Sequence, residues 1–120
     1  MDVAKFLMVF LGGGVGSVAR YALALALNGR GGPFGTFAVN VGGCFLIGFL
    51  GACAARLEWS ESTRLLLTVG LCGGFTTFST FSNESLAFLR DGAYLSAALY
   101  ILASLALGLA AVFIGWWAGR

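Results

Sequence analysis

The sequence predicts an all-α integral membrane protein with four transmembrane helices, the third of which is broken in the middle of the membrane. Of its 120 residues, 59% are hydrophobic and only 10% are charged, whereas a soluble domain carries about 25% charged residues. Four segments reach the roughly 20 mainly apolar residues that a spanning helix needs. We therefore expect a single four-helix domain over residues 1–120. The spans are predicted at about residues 3–27, 34–56, 63–89 and 93–117.

Short polar segments separate the four spans. The loop 28–33 (NGRGGP) ends the first span, because glycine and proline together break helices. The connection 58–62 (EWSES) follows the second span, and either Ser60 or Ser62 can cap the third helix. The turn 90–92 (RDG) leads into the fourth span. These loops are short, so consecutive helices are predicted to run antiparallel.

The third span has an unusual interior for a membrane helix. Gly73 and Gly74 are followed by five hydroxyl residues among the seven positions 76–82. In the simpler interpretation, each Ser or Thr bonds back to a carbonyl of its own helix. For so dense a cluster we instead predict a break at residues 73–77. Unwound backbone at membrane depth occurs only where protein buries it or where it lines a water-filled cavity. The break is therefore expected to be functional.

Small residues recur at four-residue spacing in the first two spans. Gly12 and Gly16 form one such pair, and Gly43 and Gly51 lie on another row with Ile47 between them. This spacing allows helix backbones to approach closely in lipid. The pattern predicts tight helix packing.

Lysine and arginine are almost evenly divided between the two predicted sides of the membrane. The positive-inside rule needs an excess on one side to fix orientation. A difference of one gives little preference, so the chain is predicted to insert both ways and to pair antiparallel. The first side carries Lys5, Arg56, Arg64 and Arg120, and the opposite side carries Arg20, Arg30 and Arg90.

Composition and motifs exclude several classes of function. The chain has no histidine, no paired carboxylates and no nucleotide-binding loop, since the glycine-rich run 12–16 lies inside an apolar span. An enzyme is therefore not expected. The cations are scattered, so no nucleic-acid surface is predicted. Cys44, Cys53 and Cys72 lie in apolar stretches without a C-x-x-C pair and are interpreted as packing residues.

Polar residues inside membrane spans are candidate functional residues. Phe78 and Phe81 accompany them, and aromatic ring edges carry partial positive charge. The set is rich in weak hydrogen-bond donors and poor in full charges, which suits an anion that must be partly desolvated and must also leave quickly. The polar candidates are Arg20, Thr36, Asn40, Ser79, Thr80, Glu84, Tyr100 and Ser104, with Gly108 one turn beyond Ser104.

Three segments carry a resemblance to a known family. They are residues 13–21 (GGVGSVARY), 35–45 (GTFAVNVGGCF) and 70–82 (GLCGGFTTFSTFS). The chain resembles the Fluc (CrcB) family of small fluoride channels over its whole length and all four spans. The third string is the most specific of the three.

The resemblance implies a fluoride-selective channel that exports fluoride passively across the cell inner membrane. It also implies an antiparallel, dual-topology homodimer surrounded by lipid, with two fluoride pores. A structural Na⁺ at the dimer centre would be held by the backbone carbonyls of Gly73 and Thr76. The edges of Phe78 and Phe81 would face fluoride, and Asn40 would be the pore asparagine. The same resemblance assigns a polar track to Thr36, Ser79, Thr80 and Glu84, a fourth-helix pore face to Tyr100 and Ser104, and a vestibule to Arg20. Gly108 departs from the family, where a hydroxyl residue is expected.

Two other functions fit a four-helix membrane protein. A small proton-coupled multidrug exporter resembles this chain in length, but such exporters carry an acidic residue inside the first helix. Here the first span has only Asp2 at its edge, and the acid in mid-span is Glu84 in the third segment. A structural or assembly subunit gives no reason for the cluster of Thr, Ser and Phe.

Overall fold

The computed structural model describes residues 2–27 and 33–120, and within them four helices are long and apolar enough to cross a membrane. Their bounds match the predicted spans to within about two residues. The predicted loop 28–33 lies outside the described residues, apart from Pro33. The helices are α1 (Val3–Leu27), α2 (Phe34–Leu57), a third span over Glu61–Arg90, and α5 (Tyr94–Gly119).

The third span is broken at Thr76 and Thr77, which confirms the predicted break. Both residues are extended, with φ/ψ of −88°/157° and −149°/118°. The helix before the break, α3, covers residues 61–75, and the helix after it, α4, is Phe78–Arg90. One hydroxyl of the cluster does bond back to its own helix, since the Thr76 hydroxyl donates to the Cys72 carbonyl over 3.0 Å. This hydrogen bond does not prevent the break, because the backbone becomes extended at Thr76 itself.

The sequence did not predict that α3 changes its helix type along its length. It begins as an α-helix at Glu61–Arg64, continues as a π-helix over Leu65–Cys72, and closes with one α-turn at Gly73–Phe75. A π-helix is wider than an α-helix and holds i→i+5 hydrogen bonds, and such segments are frequent near functional sites. The irregular backbone therefore begins at Leu65, about three turns before the break at Thr76.

Glycines bring α1 against α3. A Cβ placed at Gly12 would collide with the carbonyl oxygen of Leu66, and one placed at Gly16 would collide with that of Leu71. Only glycine leaves room for these backbones, which explains the four-residue spacing in the sequence. This contact fixes α1 against the half of the third span that precedes the break.

The second pair of packed helices is α2 and α5. A Cβ at Gly48 would collide with the carbonyl oxygen of Val112, and one at Gly115 would collide with that of Phe45. Each helix thus places a glycine against the backbone of the other. The predicted close packing of the second span is confirmed, but its contact with the α5 backbone is made by Gly48 and not by the predicted row of Gly43 and Gly51.

Two contacts place three parts of the chain at one end of the molecule. Lys5 Nζ lies 2.8 Å from Glu61 Oε2, which joins the starts of α1 and α3. Arg56 Nε donates to the carbonyl of Gly119 over 3.0 Å, which joins the ends of α2 and α5. The N-terminal segment, the second connection and the C-terminus therefore share an end, as the sequence predicted.

Both described turns have a residue in the left-handed region. Glu58 (φ 53°) ends α2, and Gly92 (φ 74°) lies in the predicted turn before α5, where the conformation favours glycine. Ser60, one of the two predicted caps, is the residue that caps α3, since its Oγ accepts the Thr63 N–H over 3.2 Å.

Large apolar side chains cover the outside of the helices. Phe10, Leu95 and Phe113 are 74%, 73% and 76% exposed. Soluble monomers rarely expose large contiguous apolar patches, whereas lipid accommodates them. The four apolar helices and this outward face are those of a multi-pass membrane protein.

Candidate functional site

A cavity of about 500 Å³ lies beside the break, between the α2, third-span and α5 segments. It is more than large enough for a water molecule or a small ion. Six of the predicted site residues line it together, four of them pore candidates and two candidates for a metal site. They are Asn40, Phe78, Phe81 and Ser104, with Gly73 and Thr76.

Asn40 holds the extended backbone at the break. The N–H of Thr77 donates to Asn40 Oδ1 over 2.8 Å, and Asn40 Nδ2 donates to the Thr77 carbonyl over 3.0 Å. This pair fixes the orientation of the amide, since a backbone N–H can only donate and a carbonyl can only accept. The second hydrogen of Nδ2 has no partner among residues 2–27 and 33–120. Asn40 is therefore both a positioning residue for the break and a donor at the cavity.

Thr77 also begins the second half of the span. Its Oγ1 accepts the N–H of Thr80 over 3.2 Å, which caps α4. The hydroxyls of Thr80 and Ser79 lie 3.2 Å and 3.3 Å from the same oxygen. Ser79 and Thr80 thus gather at the N-terminus of α4, where free N–H groups and the helix dipole give partial positive charge.

In the described part of the chain, only some of the backbone carbonyls at the break accept a hydrogen bond. The Gly74 carbonyl accepts Arg20 Nε over 3.1 Å, a contact between residues 54 positions apart that sequence reasoning missed. In residues 2–27 and 33–120, no hydrogen bond is found to the carbonyls of Gly73 and Thr76. Backbone carbonyls freed at a helix end are suitable ligands for a small cation. These are the two residues assigned to Na⁺ by resemblance.

Glu84 joins three helices through hydrogen bonds from two hydroxyls. Thr36 Oγ1 donates to Glu84 Oε1 over 2.6 Å, and Tyr100 Oη donates to Glu84 Oε2 over 2.8 Å. Charge-assisted bonds of this kind are stronger than those between neutral groups. Because both hydroxyl hydrogens point at the carboxylate, Thr36 and Tyr100 would have to rotate before they could donate to an anion.

A row of aromatic rings connects the cavity to the Glu84 cluster. The centroids of Phe78 and Phe81 lie 5.7 Å apart, those of Phe81 and Tyr100 5.2 Å apart, and those of Tyr100 and Phe88 5.8 Å apart. Phe81 is 9% exposed, whereas Phe78 is 76% exposed. The two phenylalanines that the sequence treated as equivalent therefore differ: Phe81 is packed within the chain and Phe78 is not.

Ser104 presents an unused donor to the cavity. Its Oγ is buried and has no hydrogen-bond partner among the described residues. A buried hydroxyl without a partner costs about 1–3 kcal/mol, and native structures contain few such groups. A bound acceptor would remove this cost.

Cys44 is a cavity residue that sequence reasoning interpreted as packing. A Cβ placed at Gly108 would lie 3.4 Å from its Sγ, so the thiol occupies the space beside the missing hydroxyl. The sequence could have indicated that Cys44 lines the cavity, because it follows Asn40 by four positions and so shares its helix face.

Comparison with known proteins identifies the family. Residues 7–116 match the family model described as CrcB-like protein, Camphor Resistance (CrcB). The chain is 52% identical to the "Fluoride-specific ion channel FluC" of Phocaeicola vulgatus over 116 residues, which cover 94% of this chain and 96% of the relative. It is also 52% identical to the protein of the same name from Chlorobaculum tepidum over 118 residues, covering 96% and 94%. A third FluC, from Geobacter sulfurreducens, is 52% identical over 121 residues, covering 98% and 94%. The chain belongs to the CrcB-like family.

Proposed function

We propose that this chain forms a fluoride-selective channel that lets fluoride leave the cell passively through the inner membrane. Its relatives are named fluoride-specific ion channels, and none of the comparisons supports a multidrug exporter. The observation that carries the proposal is the buried Oγ of Ser104, which has no hydrogen-bond partner in the described part of the chain and lies at a cavity that Asn40 and two phenylalanine rings also line. The proposal assigns no enzymatic activity.

The cavity offers attraction that is weak at each point and repeated along the path. Fluoride holds its water tightly, so each lost water must be replaced by another donor. A full positive charge would replace the water and would also trap the ion, whereas conduction requires binding that is weak enough to release it. Neutral donors and ring edges meet both needs.

A test in cells addresses this function directly. A bacterial strain that lacks its own fluoride exporters should grow on fluoride when it produces this chain. The variant Ser104→Ala should rescue growth less well at equal membrane abundance, because it deletes the unpartnered donor. Failure of the parent chain to rescue, with the protein present in the membrane, would contradict the proposal.

We also propose that the functional unit is an antiparallel homodimer embedded in lipid. In the single chain the break cavity is open on one side, and Phe78 at its edge is 76% exposed. A second copy related by an axis in the membrane plane would close the cavity and cover this ring. The nearly even division of cations between the two predicted sides is compatible with insertion in both orientations.

Dual topology predicts equal labelling from the two sides of the membrane. In a chain whose three cysteines are replaced by alanine, a cysteine added after Arg120 should react with an impermeant reagent from either side in comparable amounts. Labelling from one side alone would contradict antiparallel insertion. An equivalent cysteine on a membrane protein of fixed orientation provides the control.

The third part of the proposal is a structural Na⁺ at the dimer interface. Its support is the pair of carbonyls of Gly73 and Thr76, which accept no hydrogen bond in the described part of the chain. Carbonyl oxygens bind hard monovalent cations without adding charge of their own. Asn40 and Arg20 donate to the neighbouring carbonyls of Thr77 and Gly74. These bonds hold the backbone on which the two proposed ligand carbonyls lie.

Removal of Na⁺ is therefore expected to weaken the dimer as well as the flux. Size-exclusion chromatography in N-methylglucamine buffer should show dissociation or a lower melting temperature, and Na⁺ should restore the dimer. The variant Thr76→Val keeps the carbonyl and should keep this Na⁺ dependence. A dimer with unchanged stability and fluoride flux after complete removal of Na⁺, with no other ion bound, would contradict the site.

A further inference from the structure

Gly108 lacks a side chain for a different reason from Gly115, another buried glycine of α5. A Cβ at Gly115 would collide with the carbonyl oxygen of Phe45, so helix packing requires glycine there. A Cβ at Gly108 would meet no backbone atom of another helix. Its one neighbour within 4 Å among the described residues outside its own helix is Cys44 Sγ, at the ordinary contact distance of 3.4 Å. Gly108 therefore leaves space that the thiol of Cys44 occupies.

The side chain that reaches the break cavity at this level is that of Cys44. Among the described residues, Cys44 lines the cavity and Gly108 does not. Cys44 is half-buried, and within residues 2–27 and 33–120 its Sγ forms neither a disulfide nor a hydrogen bond. A thiol is a weak hydrogen-bond donor. The wall of the cavity thus carries an S–H group that the rest of the chain does not use.

The other two thiols lie in different surroundings. Cys53 Sγ is 3.9 Å from the carbonyl oxygen of Gly119 and is therefore within reach of an acceptor of its own chain. Cys53 is 5% exposed and is not among the described residues that line the break cavity. Cys72 does line the cavity but is only 1% exposed, so the chain encloses it almost completely. Cys53 therefore provides a control for changes at Cys44.

The Cys44 thiol extends a row of donors along the cavity. The helices α2 and α5 run in the same direction, since their C-terminal ends meet at one end of the molecule. One turn before Cys44 and Gly108, these helices carry Asn40 and Ser104, which line the same cavity. Residues four apart on a helix are separated by about 6 Å along its axis. The thiol is therefore the next donor, one turn from the amide of Asn40 and the buried hydroxyl of Ser104.

We propose that the thiol of Cys44 donates a hydrogen bond to the permeating anion and supplies, from α2, the donor that α5 lacks at Gly108. This inference rests on the proposed channel function and adds a residue to it. Fluoride is a much weaker base than a thiolate, so the proton stays on the sulfur throughout. Because an S–H group is a weak donor, it holds the anion only briefly, as conduction requires.

The first test compares Cys44→Ala with Cys44→Ser in liposomes. Both variants remove the sulfur and leave a small side chain, but only serine keeps a donor. Cys44→Ala should reduce fluoride flux per dimer about threefold to tenfold, as expected for one lost hydrogen bond. Cys44→Ser should retain the parent flux or exceed it, and Cys53→Ala should leave flux unchanged. Parent flux in Cys44→Ala, or an equal loss in Cys44→Ser, would overturn the inference.

A donor restored from the other helix provides a sharper version of this test. The Cβ of residue 108 would point at the space that Cys44→Ala vacates. Adding Gly108→Ser to Cys44→Ala should therefore recover most of the lost flux, because it places a hydroxyl where the thiol had been. Gly108→Ala in the same background adds volume without a donor and should recover little. Equal flux of these two double variants would show that the thiol only fills space, and the inference would be wrong.

A second measurement does not depend on fluoride conduction. With Cys53→Ala and Cys72→Ala, Cys44 is the one thiol of a dimer that must elute unchanged from size exclusion. Its modification by methyl methanethiosulfonate, followed by mass spectrometry, should slow when fluoride replaces gluconate at constant Na⁺ and ionic strength. Chloride should not slow it, and in the unfolded protein none of the anions should.

The outcomes of the two measurements separate the inference from the function on which it rests. Equal modification rates in fluoride, chloride and gluconate would contradict a contact between the thiol and the anion, even if the parent chain conducts fluoride. Absence of fluoride flux in the parent chain, with protection of Cys44 by fluoride intact, would instead contradict the channel and leave the anion contact standing.

Discussion

Phe78→Ile is expected to reduce fluoride flux per dimer by at least about tenfold, equivalent to ~1.4 kcal/mol on the barrier. An isoleucine is of similar size but has no ring edge with partial positive charge. Since Phe78 is 76% exposed in the single chain, the change removes little packing within the chain. The measurement is fluoride efflux from liposomes, normalised to dimer that elutes unchanged from size exclusion.

Phe113 serves as the control, and Phe81 provides a second test of the same role. Phe113 is also 76% exposed but lies outside the cavity, so Phe113→Ile should leave flux unchanged. Phe81→Ile should reduce flux as sharply, and it should also lose ring contacts with Tyr100 and Phe78 at a cost of about 0.5–1.5 kcal/mol each. Normal flux in both Phe78→Ile and Phe81→Ile would refute the electrostatic role of the rings.

Asn40→Leu is expected to abolish flux and to destabilise the break by about 2–4 kcal/mol, because it leaves both backbone groups of Thr77 without partners. Hydrogen exchange measured on the peptide around residues 73–81 should rise at the Thr77 amide. The melting temperature in detergent should fall in parallel.

A matched variant separates this effect from the general loss of an amide side chain. Asn83 lies on α4 and is exposed, and its side chain makes no hydrogen bond among the described residues. Asn83→Leu should therefore change neither exchange at Thr77 nor fluoride flux. If Asn40→Leu left the exchange of Thr77 unchanged, the proposed role of Asn40 in holding the break would be wrong.

The spans and the break could be predicted from sequence because they follow from local composition. Hydropathy alone located the four helices to within about two residues. The two glycines and the hydroxyl cluster located the break, which lies at Thr76 and Thr77 in the C-terminal part of the predicted interval. Four-residue glycine spacing predicted close helix contacts, as found at Gly12 and Gly16.

The partners of the site residues could not be predicted, because they depend on how distant helices meet. The Arg20–Gly74 contact spans 54 positions, and the Thr36–Glu84 bond spans 48. Asn40 was expected as a pore donor, yet most of its amide is used to hold Thr77. The π-helix Leu65–Cys72 could not be predicted either, since a segment whose one polar side chain is that of Thr68 has no polar face that would reveal its helical period.

We expect the purified protein to conduct fluoride selectively through a pore of neutral donors and ring edges. The most direct test is anion efflux from liposomes that hold the purified protein, with fluoride and chloride compared at equal gradients and in the presence of Na⁺. Rapid efflux of fluoride with retention of chloride is the expected result. Efflux of both anions at similar rates, or of neither from a folded dimer, would contradict it.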